Sequence, residues 1–278
     1  MDVLSGDYPP EEIQSFFSLL SEAYLGLSRI ETAMQPEKEI SEEKFEKFTD
    51  AIIRLKQSEP IQYIIGETEF YGLPFKVDKS VLIPRPETEE LVSWITNETQ
   101  SKETSILDIG TGSGCIAITL ANELPETKVS AIDVSTDALR IANQNALANK
   151  VNVNFIEVDV LQFDSSKDLQ IHKESKFDII VSNPPYVRAS EKELMQANVL
   201  RYEPEIALFV EDEDPLLFYR RIVELSKEYL KREGLLFFEI NEYLGKDMKD
   251  MLEKEGFTNI EIKKDIFEKD RMIKCKKL

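Results

Sequence analysis

The apolar positions change period along the chain. Between Glu11 and about Ile65, Phe16, Phe17, Leu20, Ala23, Tyr24 and Leu27, then Phe45, Phe48, Ile52 and Leu55, recur at spacings of three and four, as in helices that bury one face. Ser41, ahead of Glu43 and Lys44, marks a helix start, and Pro60 is expected to end that second helix. In "TEFYGLPFKVDKSVLIPRPETEELV" aromatic and β-branched residues flank Gly72-Leu73-Pro74, which predicts a short hairpin and then a linker into a helix beginning near Pro86. Beyond it, short apolar runs alternate with helical segments. The runs at 105–110, 128–134, 153–160, 177–183 and 234–241 read as strands, and the segments at 115–124, 136–149 and 215–232 as helices. Such alternation predicts an α/β domain on a parallel sheet with helices on both faces. The expected boundary lies near residue 78: a small helical domain over 1–78 with the hairpin at its end, then an α/β domain over 79–278.

The first of these strands runs into "LDIGTGSGC", which sets Gly110, Gly112 and Gly114 at the mouth of a helix. Glycine serves there because the turn is tight and a ligand must approach the backbone closely. The spacing is G-x-G-x-G. It differs from the G-x-G-x-x-G of dinucleotide enzymes, because Cys115 stands where that pattern has its third glycine. Asp133 ends the next strand, where a carboxylate can accept both ribose hydroxyls, and Asp159 ends the third, placed to accept from an adenine amino group. Each acid alone reads equally as a helix cap or turn residue. On successive strand ends, where ligands of such sheets bind, they read together as a nucleoside pocket. Asp108 braces the loop or faces the ligand's amino end. Cys115 begins a helix, where a thiol's pKa can fall, but as a small residue behind the loop it reads as packing. NAD and S-adenosylmethionine both suit such a pocket.

The fourth strand separates them. "FDIIVSNPPYV" ends a buried, β-branched run in two prolines, which remove two backbone donors and stop a sheet ladder. A dehydrogenase gains nothing from Asn-Pro-Pro-Tyr there; a methyltransferase acting on a planar NH2 group does. The lone pair of a carboxamide or base amino group is delocalised, so it attacks a sulfonium methyl only when both N–H bonds are held and the lone pair is aimed. The Asn183 side-chain oxygen and the Pro184 carbonyl supply two acceptors, and the Tyr186 ring can cover the planar face. As the nitrogen becomes positive these hydrogen bonds strengthen, so the transition state gains more than the ground state. No general base is needed before transfer. That agrees with the sole histidine, His172, lying in the polar "DLQIHKES", where it reads as a surface residue.

Charge narrows the partner. Over 278 residues, 34 Lys and Arg stand against 53 Asp and Glu, a net charge of −19, which argues against tracking a phosphate backbone. The two cysteines, Cys115 and Cys275, lie far apart and neither has metal-ligand spacing, so neither a disulfide framework nor a metal is expected. The chain opens without a basic region followed by an apolar run, and no stretch approaches about 18 uninterrupted apolar residues. A soluble, monomeric protein of the reducing cytoplasm, with no direct nucleic-acid or membrane partner, is the expectation.

At these residues the chain resembles a class I S-adenosylmethionine-dependent methyltransferase, and "VSNPPY" resembles those that methylate planar amino nitrogens. "PIQYIIGETEFYGLPFKVDKSVLIPRPETEELV" (60–92) and "RYEPEIALFVEDEDPLLFYRRI" (201–222) are similar to the signature of the HemK/PrmC family of protein-(glutamine-N5) methyltransferases. That resemblance implies a Rossmann-like, mostly parallel seven-stranded sheet behind a small N-terminal helical domain that recognises substrate. It implies S-adenosyl-L-methionine as cofactor, S-adenosyl-L-homocysteine as product, and the glutamine of the Gly-Gly-Gln motif of class I peptide chain release factors as substrate. Carried onto matching positions, Gly110, Thr111, Gly112, Ser113, Gly114, Asp133 and Asn183 contact the cofactor, joined by Asp108, Asp159 and Val160. Asn183, Pro184, Pro185 and Tyr186 hold the glutamine amide. Pro84 and Pro86 stiffen the linker, so Arg85 and Glu87 form a polar rim at the cofactor mouth, although Glu87 reads as well as a helix cap.

The chain departs from the family pattern in two places. Asn241 stands where a glycine usually follows Glu239-Ile240, and the usual glycine before Asp270-Arg271 is missing. Both are expected at the C-terminal edge of the sheet, away from the chemistry. Three other readings stay open: glutamine methylation of a ribosomal protein, adenine-N6 methylation of nucleic acid, and a catalytically silent cofactor-binding module. The second needs backbone contacts that this charge disfavours.

Overall fold

The computed structural model describes residues 2–99, 103–163 and 176–278, so the expectation for His172 lies outside the described residues. The chain forms two units. The first runs to Glu67 and takes in Gln196–Tyr202; the second is Thr68–Met195 with Glu203–Leu278.

In the first unit, α1 (Pro10–Leu25), α2 (Arg29–Met34), α3 (Glu42–Lys56) and α4 (Ile61–Ile65) follow in order. The three-and-four spacing buries Phe16, Leu20, Ala51 and Leu55 with Leu4, Ile61 and Ile64. Each of the phenylalanine, leucine and isoleucine side chains withdrawn from water contributes roughly 1.5–3 kcal/mol. Ser41 caps α3, accepting the Lys44 N–H, as expected. Pro60 does otherwise than expected: α3 has already stopped at Lys56, before a left-handed Ser58, and Pro60 instead precedes α4. Proline at that position sacrifices only an amide that has no partner inside the helix.

From Thr68 the second unit carries the hairpin of β1 (Glu67–Phe70, its first residue the last of the first unit) and β2 (Leu73–Lys76), turned by Tyr71 and Gly72, both at positive φ. Phe70 and Phe75 meet edge to face at 5.9 Å and join a core beneath the sheet. The division therefore falls between Glu67 and Thr68, ahead of residue 78, because the hairpin's aromatic residues bury in the second unit. There follow α5 (Pro86–Glu98), β3 (Ser105–Ile109), α6 (Cys115–Glu123), β4 (Lys128–Asp133), α7 (Thr136–Ala148), β5 (Val153–Glu157) and β6 (Phe177–Ser182). Then come β7 (Val187–Arg188), α8 (Ala197–Tyr202, part of the first unit), β8 (Phe209–Val210), α9 (Leu217–Tyr229), β9 (Leu230–Glu239), α10 (Gly245–Lys254), β10 (Phe257–Lys264) and β11 (Asp270–Lys277).

The main sheet has seven strands in the order β10-β11-β9-β6-β3-β4-β5. β5, β4, β3, β6 and β9 run parallel, and β11 and β10 close one side antiparallel. Helices cover both faces. Consecutive Phe237 and Phe238, both fully buried, point to opposite sides: Phe237 packs edge-on against Trp94 of α5, Phe238 against Tyr219 of α9. β9 is not at the edge, as the expectation for Asn241 required. It lies between β11 and β6, so the residues just beyond it neighbour those just beyond β6.

Candidate functional site

A cavity of about 240 Å³ opens at the carboxyl ends of the parallel strands, where such sheets bind ligands. A larger cleft of about 550 Å³ lies at the opposite ends and is lined by charges that pair among themselves, such as Lys231 with Asp178 and Lys276 with Glu233.

The glycine loop forms one wall. Gly110, Gly112 and Gly114 have φ of 73°, 55° and 83°, a region other residues avoid. A Cβ at Gly110 or Gly112 would meet nothing within 4 Å, whereas at Gly114 it would sit 2.7 Å from Ile118 Cδ1 and 3.2 Å from Ala142 Cβ. The first two glycines thus leave room for a ligand, and the third lets α6 pack against α7. The amides of Gly110 and Thr111 donate to the Ile132 carbonyl, which hangs the loop on β4.

Three acids serve this loop in different ways. Asp108 is fully buried; its Oδ2 accepts from the Thr111 hydroxyl at 2.6 Å, while Oδ1 is buried with no hydrogen-bond partner among the described residues. The Ala117 amide draws on the same carboxyl without completing a hydrogen bond to Oδ1. Desolvation, aided by the nearby Asp133 charge, pushes the Asp108 carboxyl up to about 7. Asp133 accepts from the amides of Gly112 (2.8 Å) and Ser135 (2.9 Å), yet burial still raises it above the ordinary carboxylate range. Asp159 follows β5, which ends at Glu157 and not at 160 as expected. It closes a turn by accepting from the Leu161 amide and the Gln162 side chain.

Gly110, Thr111, Gly112, Ser113, Asp133, Asp159, Val160, Asn183, Pro184, Pro185 and Arg85 all line the cavity. Asp108, Gly114, Glu87 and Tyr186 are not among the residues that line it. Cys115 lines it too, and desolvation pushes its thiol up to about 12, outweighing its place at a helix start.

At the end of β6 the chain leaves the ladder as expected, and what holds it there was not legible beforehand. Asn183 Nδ2 donates to Thr88 Oγ1 (3.3 Å), Thr88 Oγ1 donates to Glu239 Oε2 (2.7 Å), and the Tyr186 hydroxyl donates to Glu239 Oε1 (3.0 Å). Asn241 Nδ2 donates to the Tyr186 carbonyl at 3.2 Å and to Glu191 at 3.1 Å. Asn241 therefore touches the Asn-Pro-Pro-Tyr segment, contrary to the expectation that it lies clear of the chemistry. Arg85 pairs with the buried Glu203 at 2.6 Å, and Glu203 also accepts the Ile83 amide. Glu87 sits in the first turn of α5, where its charge faces the positive end of the helix. Thr88, Glu203 and Glu239 were missed. The available signal was a lone carboxylate at the end of the apolar run "GLLFFE", which burial obliges to find donors.

Among the described residues no cluster of three or more His, Cys, Asp or Glu side chains could hold a metal ion, and no helix is long and apolar enough to cross a membrane.

Solved structures share this fold. A methyltransferase from Pyrococcus furiosus aligns with a TM-score of 0.54 at 18% identity, covering 82% of this chain and 98% of that one. A 16S rRNA methyltransferase from Thermus thermophilus, in complex with AdoMet and guanosine, aligns at 0.54 and 18%, covering 76% and 50%. Family models match in two places: the methyltransferase small domain over residues 86–203 and the PrmC N-terminal domain over residues 6–66. The release factor glutamine methyltransferase of Flavobacterium psychrophilum is 50% identical over 99% of this chain and 95% of its own length. That of Bacteroides thetaiotaomicron is 47% identical over 96% and 93%. With a class I methyltransferase sheet, a glycine loop and Asn-Pro-Pro-Tyr on adjacent strands, and relatives of this identity along nearly the whole length, the chain belongs to the release factor glutamine methyltransferase family.

Proposed function

We propose that this protein methylates the side-chain amide nitrogen of the glutamine in the Gly-Gly-Gln motif of class I peptide chain release factors, using S-adenosyl-L-methionine. The observation that carries the reading is the end of β6: Asn183 and Pro184 line the cavity beside the glycine loop, and the Asn183 nitrogen is taken up by Thr88. Its amide oxygen is left to accept.

The residues present fit the cofactor. The unpartnered Asp108 Oδ1 suits an ammonium group, the open space over Gly110 and Gly112 suits a chain lying on the backbone, and Asp133 suits a ribose. Thr111, Ser113 and Gly114 shape the loop, and Asp159 and Val160 stand at the base edge. When bound, the cofactor supplies an electrophilic methyl on a sulfonium.

Asn183 Oδ1 and the Pro184 carbonyl each hold one N–H of the substrate amide, which turns the nitrogen lone pair towards the methyl. Their hydrogen bonds become charge-assisted as positive charge develops on that nitrogen. Pro185 walls the site, and Tyr186, tied to Glu239 and Asn241, keeps the Pro-Pro segment in place. Arg85, which lines the cavity, and Glu87, in the first turn of α5, are the residues we assign to contacts with the substrate. The helical unit is the part we assign to gripping the factor. A monomer in the cytoplasm, acting on protein and not on nucleic acid, accords with a charge of −19.

Radiolabelled S-adenosylmethionine supplied with unmethylated class I release factor, with that factor carrying Gly-Gly-Ala, with total ribosomal protein and with DNA tests this directly. Label is expected on the intact factor alone and is abolished by Asn183→Ala. Label confined to ribosomal protein or DNA overturns the substrate, and turnover with none of them overturns the enzyme.

A further inference from the structure

A primary amide has two ends of nearly equal shape and opposite polarity. For the Asn183 oxygen to face a substrate nitrogen, something must hold the Asn183 nitrogen on the other side. Thr88 does so, but a hydroxyl carries a single proton and can face Asn183 either as donor or as acceptor. That choice is made one step further on. An ionised carboxylate only accepts, so Thr88 gives its proton to Glu239 at 2.7 Å and turns a lone pair to Asn183, which only the NH2 end can satisfy.

We infer that Glu239 and Thr88 are positioning residues: on the glutamine-methylation reading above, their relay fixes the Asn183 amide with its oxygen towards the substrate nitrogen. The same carboxylate accepts from the Tyr186 hydroxyl through its other oxygen, so both ends of Asn-Pro-Pro-Tyr are registered on one buried group. Glu239 is 1% exposed and Thr88 2%. A carboxylate withdrawn from water to that degree is costly even with good partners, and an apolar residue there would pack as well. Burial raises the Glu239 carboxyl above the ordinary carboxylate range, opposed by the hydrogen bonds from Thr88 and Tyr186 and by the nearby Arg271 charge, and both its oxygens are nevertheless spent on residues that lead to the acceptor segment. Fixing a polarity accounts for that arrangement; packing does not.

The test is steady-state methylation of the release factor by Thr88→Val, Thr88→Ser and Glu239→Gln, with cofactor binding measured in parallel by calorimetry. Valine keeps the shape of threonine and removes the acceptor. Glutamine keeps the shape of glutamate and turns one of its two acceptors into a donor. In Thr88→Val and Glu239→Gln kcat is expected to fall about 100-fold, the scale of one misplaced transition-state hydrogen bond, with KM for the factor and cofactor Kd within about threefold; Thr88→Ser recovers most of kcat. Wild-type kcat in both variants overturns the relay. So does joint loss of cofactor binding and kcat in Thr88→Val that Thr88→Ser fails to restore, since that is the mark of a merely structural role. Failure of the wild-type protein itself to label the factor overturns the proposed function, and the relay with it.

Discussion

Asn145 of α7 holds Lys76 of β2 by both of its backbone polar groups: Oδ1 accepts the Lys76 amide at 2.7 Å, and Nδ2 donates to the Lys76 carbonyl at 3.0 Å. The same Nδ2 donates to the Ser113 carbonyl at 2.9 Å, so one fully buried side chain ties the hairpin to the glycine loop. Asn145→Ala leaves three backbone groups without this partner. A loss of about 2–4 kcal/mol in urea unfolding is expected, together with weaker cofactor binding through Ser113. A loss under about 1 kcal/mol would show that water replaces the amide at little cost.

Gly110 and Gly114 share a left-handed backbone and differ in their surroundings. At both, alanine costs about 1–2 kcal/mol in backbone strain. At Gly114 the new methyl also strikes Ile118 and Ala142. Gly114→Ala is therefore expected to lose the more stability, and Gly110→Ala to lose cofactor affinity out of proportion to its stability, because its methyl enters the cavity. Calorimetric binding and thermal unfolding of the two variants separate the effects; equal losses in both would contradict this assignment of space.

The ion pair of Arg85 with Glu203 is asymmetric, the arginine side chain being 34% exposed and the glutamate 1%. Removing the arginine strands a buried carboxylate. Arg85→Ala is expected to cost about 2 kcal/mol, below the range for a fully buried pair because solvent screens the guanidinium. Adding Glu203→Gln, which keeps an acceptor for the Ile83 amide, should return part of that loss in a double-mutant cycle. Strict additivity would show that the pair is not coupled.

Asp108 gives the protein a pH dependence of definite sign. Its carboxyl titrates near 3.8 in the unfolded chain and about 7 in the fold, because burial penalises the charge. Both states hold the proton below the lower value, so nothing is lost there. As pH rises from about 4 towards 7 the unfolded chain releases its proton first, and the fold loses stability until both are ionised. Thermal unfolding across this window should show wild type losing ground to Asp108→Asn, with no further divergence above pH 7. A constant difference between the two proteins would disprove the shift.

Much of this architecture was legible in the sequence for a simple reason. The three-and-four spacing of α1 and α3, and the short apolar runs of β3, β4 and β6, are imposed by which faces bury, and burial writes itself into the order of residues. The glycine loop and Asn-Pro-Pro-Tyr were legible because each needs residue types with unusual backbones. The edge strands β10 and β11 were not read from periodicity, since "FTNIEIKK" and "DRMIKCKK" carry enough charge to pass as polar chain. Nor were the partners of Asn183 and Arg85. Glu239 and Thr88 lie 151 positions apart, and Glu203 and Arg85 118; only the fold brings them together. The nearness of Asn241 to Asn-Pro-Pro-Tyr comes from the strand order, and a pattern of apolar runs does not say which strands are neighbours.

The first unit of the chain is finished late. It takes in Gln196–Tyr202, where Arg201 and Tyr202 both donate to the carbonyl of Gln57, 144 and 145 positions upstream. At about 5–20 residues per second on a ribosome, that carbonyl waits on the order of ten seconds for its partners. During that interval β3, β4, β5 and β6 are all synthesised, so the nascent helical unit must persist unfinished while the sheet that follows it is being made.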